Sequence, residues 1–137
     1  MKTFIITIAL LLFSTSLNAQ VSVVVGKSSP HNKLSADEVK NIFTLSKTVW
    51  SSGSKIKLAD QSKTSASKKF YGDFIGMKES KVKSTQLKAV LTGKAPKPIR
   101  CSDDAAVKKA VNSNVNAIGF IESSNVDDSV KVLFVID

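Results

Sequence analysis

The stretch Lys55-Ile-Lys-Leu58-Ala-Asp60-Gln-Ser62-Lys-Thr64-Ser-Ala-Ser67-Lys-Lys-Phe70-Tyr71 decides how this chain folds. Ile56 and Leu58 alternate with Lys55 and Lys57, the two-residue period of a half-buried strand. From Asp60 to Ser67 no large apolar residue appears and hydroxyls dominate, as in a loop. Phe70, Tyr71, Phe74 and Ile75 then recur at helical spacing, and Gly76 supplies a helix stop. The reading is strand, hydroxyl-rich loop, helix.

Working outward, the same alternation of strand and helix continues. Val21 to Val25 is a β-branched run that predicts a buried strand, ending in the loop Gly26-Lys27-Ser28-Ser29-Pro30. Ser35-Ala-Asp-Glu38 is a capping box ahead of Val39, Ile42 and Phe43, so a helix starts there. Thr48 to Gly53 turns the chain toward the strand at Ile56. Downstream, a helix is expected from about Ser80 to Leu91 with Val82, Leu87, Val90 and Leu91 facing inward, closed by Gly93. Pro96 and Pro98 mark a linker, and Ile99 to Cys101 ends in a short strand. Ser102-Asp103-Asp104 opens a helix through Val107, Ala110 and Val111, acids first as the helix dipole favours. Ala117 to Ile121 and Val130 to Ile136 finish the chain as strands whose continuous apolar runs predict central positions buried on both sides. Alternating strands and helices without repeats make one α/β layer sandwich over residues 20–137.

Residues 1–19 stand apart. Lys2 precedes an apolar run from Phe4 to Phe13, and Ser14 to Ala19 are small and polar, the pattern of a secretory signal peptide cut near Ala19. The run is too short to span a bilayer. No cysteine stands at the cut for lipid attachment, so a freely diffusing periplasmic protein without a membrane anchor is expected.

Charge and composition narrow the function. The 137 residues carry a formal charge of +9, and Arg100 is the single arginine among the 20 basic residues. Lysine is dispersed along the chain rather than gathered with arginine and aromatics into a nucleic-acid stripe, so attraction to small anions or anionic envelope surfaces is expected, and nucleic-acid binding is not. Cys101 has no partner for an internal disulfide and is expected to be buried. His31, the only histidine, follows Pro30 in a polar loop. G-x-S-x-G, P-loop and H-E-x-x-H motifs and any Cys/His cluster are absent, which leaves no catalytic residues, no metal site and no cofactor to assign. The acid pairs Asp103-Asp104 and Asp127-Asp128 read as structural or solvated.

The chemistry therefore gathers at the loop. The first N–H groups of a helix lack partners inside it and its dipole adds partial positive charge, so a strand–loop–helix junction can hold an oxyanion. Ser62, Lys63, Thr64, Ser65 and Ser67 bring hydroxyls and charge to this one, although Ser and Thr are also preferred as plain N-caps. Ser28 and Ser29 in the first loop are expected at the same end of the sheet, where ligands of open α/β sheets sit.

The order of segments Leu34-Ser-Ala-Asp-Glu-Val-Lys-Asn-Ile-Phe43, Trp50-Ser-Ser-Gly53, Asp60 to Tyr71, Leu91-Thr-Gly93 and Ala117-Ile-Gly-Phe120 resembles the phosphate-binding proteins of ABC transporters, in a short, single-lobe form. The resemblance implies a three-layer periplasmic-binding-protein-like lobe with a mixed sheet flanked by helices. It implies a non-enzymatic binding protein for phosphate or sulfate, working with an ABC permease or a second lobe in trans. It places Thr64, Ser65 and Ala66 at the family's Ser-Gly-Thr or Ser-Ala-Thr loop, Ala66 standing where the family has threonine. The other function class is an envelope module that keeps the fold and binds a protein or anionic glycan through its lysine-rich surface.

Overall fold

The computed structural model describes residues 20–137, so the signal-peptide reading of residues 1–19 lies outside them. Strands β1 (Val21–Gly26), β2 (Lys57–Gln61), β3 (Ile99–Cys101), β4 (Ala117–Glu122) and β5 (Val130–Ile136) form one sheet in the order β3-β2-β4-β1-β5. β2 runs parallel to β3 and β4, whereas β1 is antiparallel to both β4 and β5. The sheet is mixed.

Helices cover both faces of it, giving three layers. On one face lie α1 (Ala36–Phe43), α2 (Ser65–Ser67) with its π-helical continuation Lys68–Ile75, and α3 (Glu79–Leu91). The larger core sits here, where Val21, Val23 and Val25 of β1 meet Val39, Ile42 and Phe43 of α1 and Phe70 and Tyr71 of the π-helical segment. Phe70 stacks on Phe120 with centroids 4.2 Å apart and meets Phe43 edge-on at 4.7 Å. Each such buried aromatic contributes about 1.5–3 kcal/mol. Together they fix the helix whose first turn is at Thr64. Gly76, at φ +79, ends that helix in the left-handed conformation.

The opposite face is covered by α4 (Asp104–Ser113), which packs Val107, Ala110 and Val111 on Val24, Ala59 and Ile121. Gly119 makes this close approach possible. A Cβ there would lie 2.6 Å from Val107 Cγ1 and 2.9 Å from the Ala59 carbonyl oxygen.

The capping box at Ser35 is present in full, with Ser35 Oγ accepting from Glu38 N–H and the Glu38 carboxylate accepting from Ser35 N–H. Cys101 ends β3 and is buried, and Asp103 caps α4 by accepting from Ala106 N–H. Three expectations need correction. Leu87 and Leu91 point to solvent and Val90 is half-buried; α3 instead turns Val82, Gln86 and Ala89 inward, because Gln86 is drawn to a buried carboxylate. β5 is an edge strand rather than a central one, with Val135 exposed. β2 runs on through Asp60 and Gln61, both buried, so the loop starts later than its polar residues suggest.

Candidate functional site

β2 delivers Asp60 and Gln61 to opposite faces of the sheet, and the chain then turns through Ser62 and Lys63 into α2. Lys63 adopts a left-handed backbone, φ 58, which costs a non-glycine residue about 1 kcal/mol. Thr64 is the N-cap. Its Oγ1 accepts from Ser67 N–H at 3.0 Å while Ser67 Oγ accepts from Thr64 N–H at 2.9 Å, a reciprocal box built from two hydroxyls. Ser67 Oγ also reaches Glu79 Oε1, and Glu79 Oε2 accepts from Lys63 N–H at 3.0 Å. The hydroxyls of Thr64 and Ser67 are therefore engaged within the protein. The N–H groups of Ser65 and Ala66 have no partner among the described residues.

Those two residues border a cleft of about 440 Å³ beyond the carboxyl ends of β2 and β4. Thr64, Ser65 and Ala66 form one wall, Asp103, Asp104, Ala105 and Lys108 of the α4 start the other, with Gln61, Glu122 and Asn125 between them. Asp104 accepts three hydrogen bonds: Oδ1 from Gln61 Nε2 at 2.7 Å, and Oδ2 from Glu122 N–H at 3.1 Å and Asn125 Nδ2 at 2.7 Å. Lys108 spans 2.8 Å to Asp127, and this bond, with those from Ser129, holds the Asp127 carboxyl well below its usual range. The cleft is thus two-sided in chemistry. Unpaired donors sit at the α2 end, while Asp103 at the α4 start and Glu122 at the end of β4 bring carboxylates to the same cleft.

Beneath the loop, on the face away from the cleft, Asp60 is a buried acceptor. Tyr71 Oη donates to its Oδ1 at 2.5 Å, while Gln86 Nε2 at 3.2 Å and Arg100 Nη1 at 2.9 Å donate to Oδ2. Burial pushes the Asp60 carboxyl up against the opposing pull of these donors. Burial and the Asp60 charge push Tyr71 well above its ordinary value. Gln86 Oε1 is buried without a partner. This network ties β2, the π-helical segment, α3 and β3 together directly under the loop.

Of the residues read from sequence, Thr64 and Ser65 line the cleft; Ser62 and Lys63 form the turn leading to it, and Ser67 is buried behind it. Ser28 and Ser29 do not join them. Val25 pairs with Ile118 and Lys57 with Ala117, so β1 ends where β2 and β4 begin, at the opposite edge of the sheet. The reversed direction of β1 is the physical reason. Lys27 N–H there bonds Asn112 near the end of α4, and Ser29 is buried with its Oγ accepting from His31 N–H. His31 stays a loop residue, stacked on Trp50 at 3.7 Å.

Sequence reasoning missed Gln61, Glu79 and Glu122. Continued alternation past Leu58 points to Asp60 and leaves Gln61 on the opposite face with Lys57, and nothing local marks Glu79, which reaches the loop from another helix. Among the described residues no group of His, Cys, Asp and Glu is placed to hold a metal ion, and no helix is long and apolar enough to cross a membrane.

No sequence-family model matches the chain, and no curated protein sequence matches it. Solved structures do. One described as a phosphate ABC transporter substrate-binding protein with bound phosphate, from Clostridium perfringens, has a TM-score of 0.65 at 22% identity over 84% of this chain and 45% of its own. An ABC-type phosphate transport receptor from Vibrio cholerae has a TM-score of 0.63 at 22% identity, over 84% and 46%. PstS from Borrelia burgdorferi has 0.60 at 12%, over 84% and 47%. This chain spans a little under half the length of these proteins. The likeness establishes that residues of this chain fold as about half of a phosphate ABC transporter substrate-binding protein does.

Proposed function

We propose that this protein is an exported, non-enzymatic binding protein whose ligand is a small oxyanion, with phosphate preferred over sulfate. The observation that carries the reading is that the unpartnered N–H groups of Ser65 and Ala66 share one cleft with the carboxylates of Asp103 and Glu122. An oxyanion accepts from the amides at the positive end of the helix. Carboxylates in the same cleft repel a fully deprotonated anion and accept a hydrogen bond from a protonated one. Phosphate at neutral pH carries a proton to give them, whereas sulfate carries none. The phosphate-bound structure with the same fold supports the ligand class.

On this reading residues 1–19 act as a leader to the periplasm, and an ABC permease or a second lobe in trans covers the open side of the cleft. Until it does so the ligand stays half hydrated, and Kd is expected near 1 mM, roughly −4 kcal/mol.

Backbone amide shifts of isotope-labelled residues 20–137, titrated with phosphate and then sulfate at fixed ionic strength, test this. Saturable shifts at Ser62 to Ser67 with phosphate, weaker with sulfate, are expected. Ser65→Pro is the decisive variant: proline suits the first helical position, and Thr64 at φ −111, ψ 165 already has the extended backbone that precedes proline. It deletes one N–H and should weaken phosphate at least tenfold, with Ser65→Ala as the control for the hydroxyl. Phosphate shifts unchanged in Ser65→Pro, or absent from the parent protein, overturn the site.

A further inference from the structure

We propose that the outward face of α3 docks on an anionic phospholipid surface, with Leu87 and Leu91 entering the headgroup boundary and the neighbouring lysines meeting lipid phosphates. The helix is built inside out for a soluble domain. It buries Val82, Gln86 and Ala89, while its two leucines are 60% and 77% exposed. Four residues apart, Leu87 and Leu91 share one stripe. Lys81, Lys88 and Lys94 line the groove beside that stripe. From Lys78 to Lys97 the chain carries six lysines and one acid, and that acid, Glu79, is turned away to Lys63 N–H and Ser67. The outward face therefore presents positive charge without internal neutralisation.

Two further facts favour a bilayer over a shaped protein partner. The groove hydroxyls of Ser84, Thr85 and Thr92 all donate to carbonyls one turn back, at 2.8–3.0 Å, so they offer no free donor for directional recognition. What remains is lysine point charge around exposed leucine, the composition of an interfacial helix. α3 also packs mainly on the π-helical segment, reaching the sheet through the Gln86–Asp60 bond, and leaves its Leu87 and Leu91 side in solvent, where it can meet a flat surface.

Co-sedimentation of residues 20–137, which supply all five strands and both cores, with vesicles of phosphatidylglycerol in phosphatidylcholine tests the proposal. Binding to these vesicles and not to pure phosphatidylcholine is expected. Leu87→Ser with Leu91→Ser should reduce it at least tenfold with an unchanged amide spectrum, since both positions are exposed. Each of Lys81→Gln, Lys88→Gln and Lys94→Gln should reduce it about fivefold. Lys33→Gln with Lys55→Gln, exposed elsewhere, should leave it unchanged. No binding, binding indifferent to the leucines, or equal loss in the Lys33 and Lys55 variant overturns the proposal. Displacement by soluble polyglutamate that depends on the same leucines assigns the face to an acidic protein instead.

Discussion

α3 and α4 lie on opposite faces of one sheet and solve the packing problem in opposite ways. α4 has a side-chain N-cap from Asp103 and presents Val107, Ala110 and Val111 to the strands, so apolar burial alone explains its orientation. α3 has no side-chain cap and no strong apolar side; it is oriented by Gln86, which reaches Asp60, and leaves its leucines outside. The adjacent residues of β2 show the same contrast. Gln61 faces α4 within a satisfied set of hydrogen bonds, whereas Asp60 faces α3 as a buried charge gathering three donors. α4 is held by area removed from water, α3 by a polar knot beside an aromatic core.

The sharpest way to break that contrast is Asp60→Ala. It strands the Tyr71 hydroxyl and the Gln86 amide in the core, while half-exposed Arg100 turns to water, and a loss of about 3 kcal/mol is expected in urea unfolding followed by Trp50 fluorescence. On the α4 face, Val107→Ala should cost about 2 kcal/mol through lost transfer energy and a small cavity.

Tyr71→Phe leaves Asp60 two of its donors and should cost about 1 kcal/mol near neutral pH. Its larger signature is alkaline. The folded protein holds the Tyr71 proton more tightly than the unfolded chain, so this stabilisation is complete below about pH 10 and lost as pH rises through the raised folded value. Because Tyr71 is the only tyrosine, tyrosinate absorbance reads that titration directly, and the Phe variant should lack this alkaline loss. The smallest effect belongs to the outward leucines: Leu87→Ser and Leu91→Ser should each change stability by less than about 0.5 kcal/mol. A loss like that of Val107→Ala would mean that α3 packs as α4 does.

Legibility in the sequence followed the same division. Where burial of apolar side chains sets the structure, as at Val21 to Val25, Val39-Ile42-Phe43 and Val107-Ala110-Val111, periodicity and caps were enough. The turn at Thr64 was readable because hydroxyls before an aromatic helix have a local cause. Leu87 and Leu91 misled because pattern reading assumes that leucine goes inside, and no local rule sends Gln86 there instead. Ser28 and Ser29 misled because the direction of β1 is set by its pairing with strands far along the chain. Asp103 and Glu122 as the second wall of the cleft were unreadable for the same reason: they meet Ser65 only through the sheet.

That distant pairing also bears on how the protein comes into being. β1, the first strand described, hydrogen-bonds only to β4 and β5, the last two. Its six residues, buried along their whole length, have no sheet partner until residues 117–136 have been synthesised. Folding must therefore join the two ends of the described residues, a high-separation pairing that makes it slow for a domain of this size. Until β4 and β5 are made, β1 is an apolar strand with both edges unpaired, open to pairing with another chain.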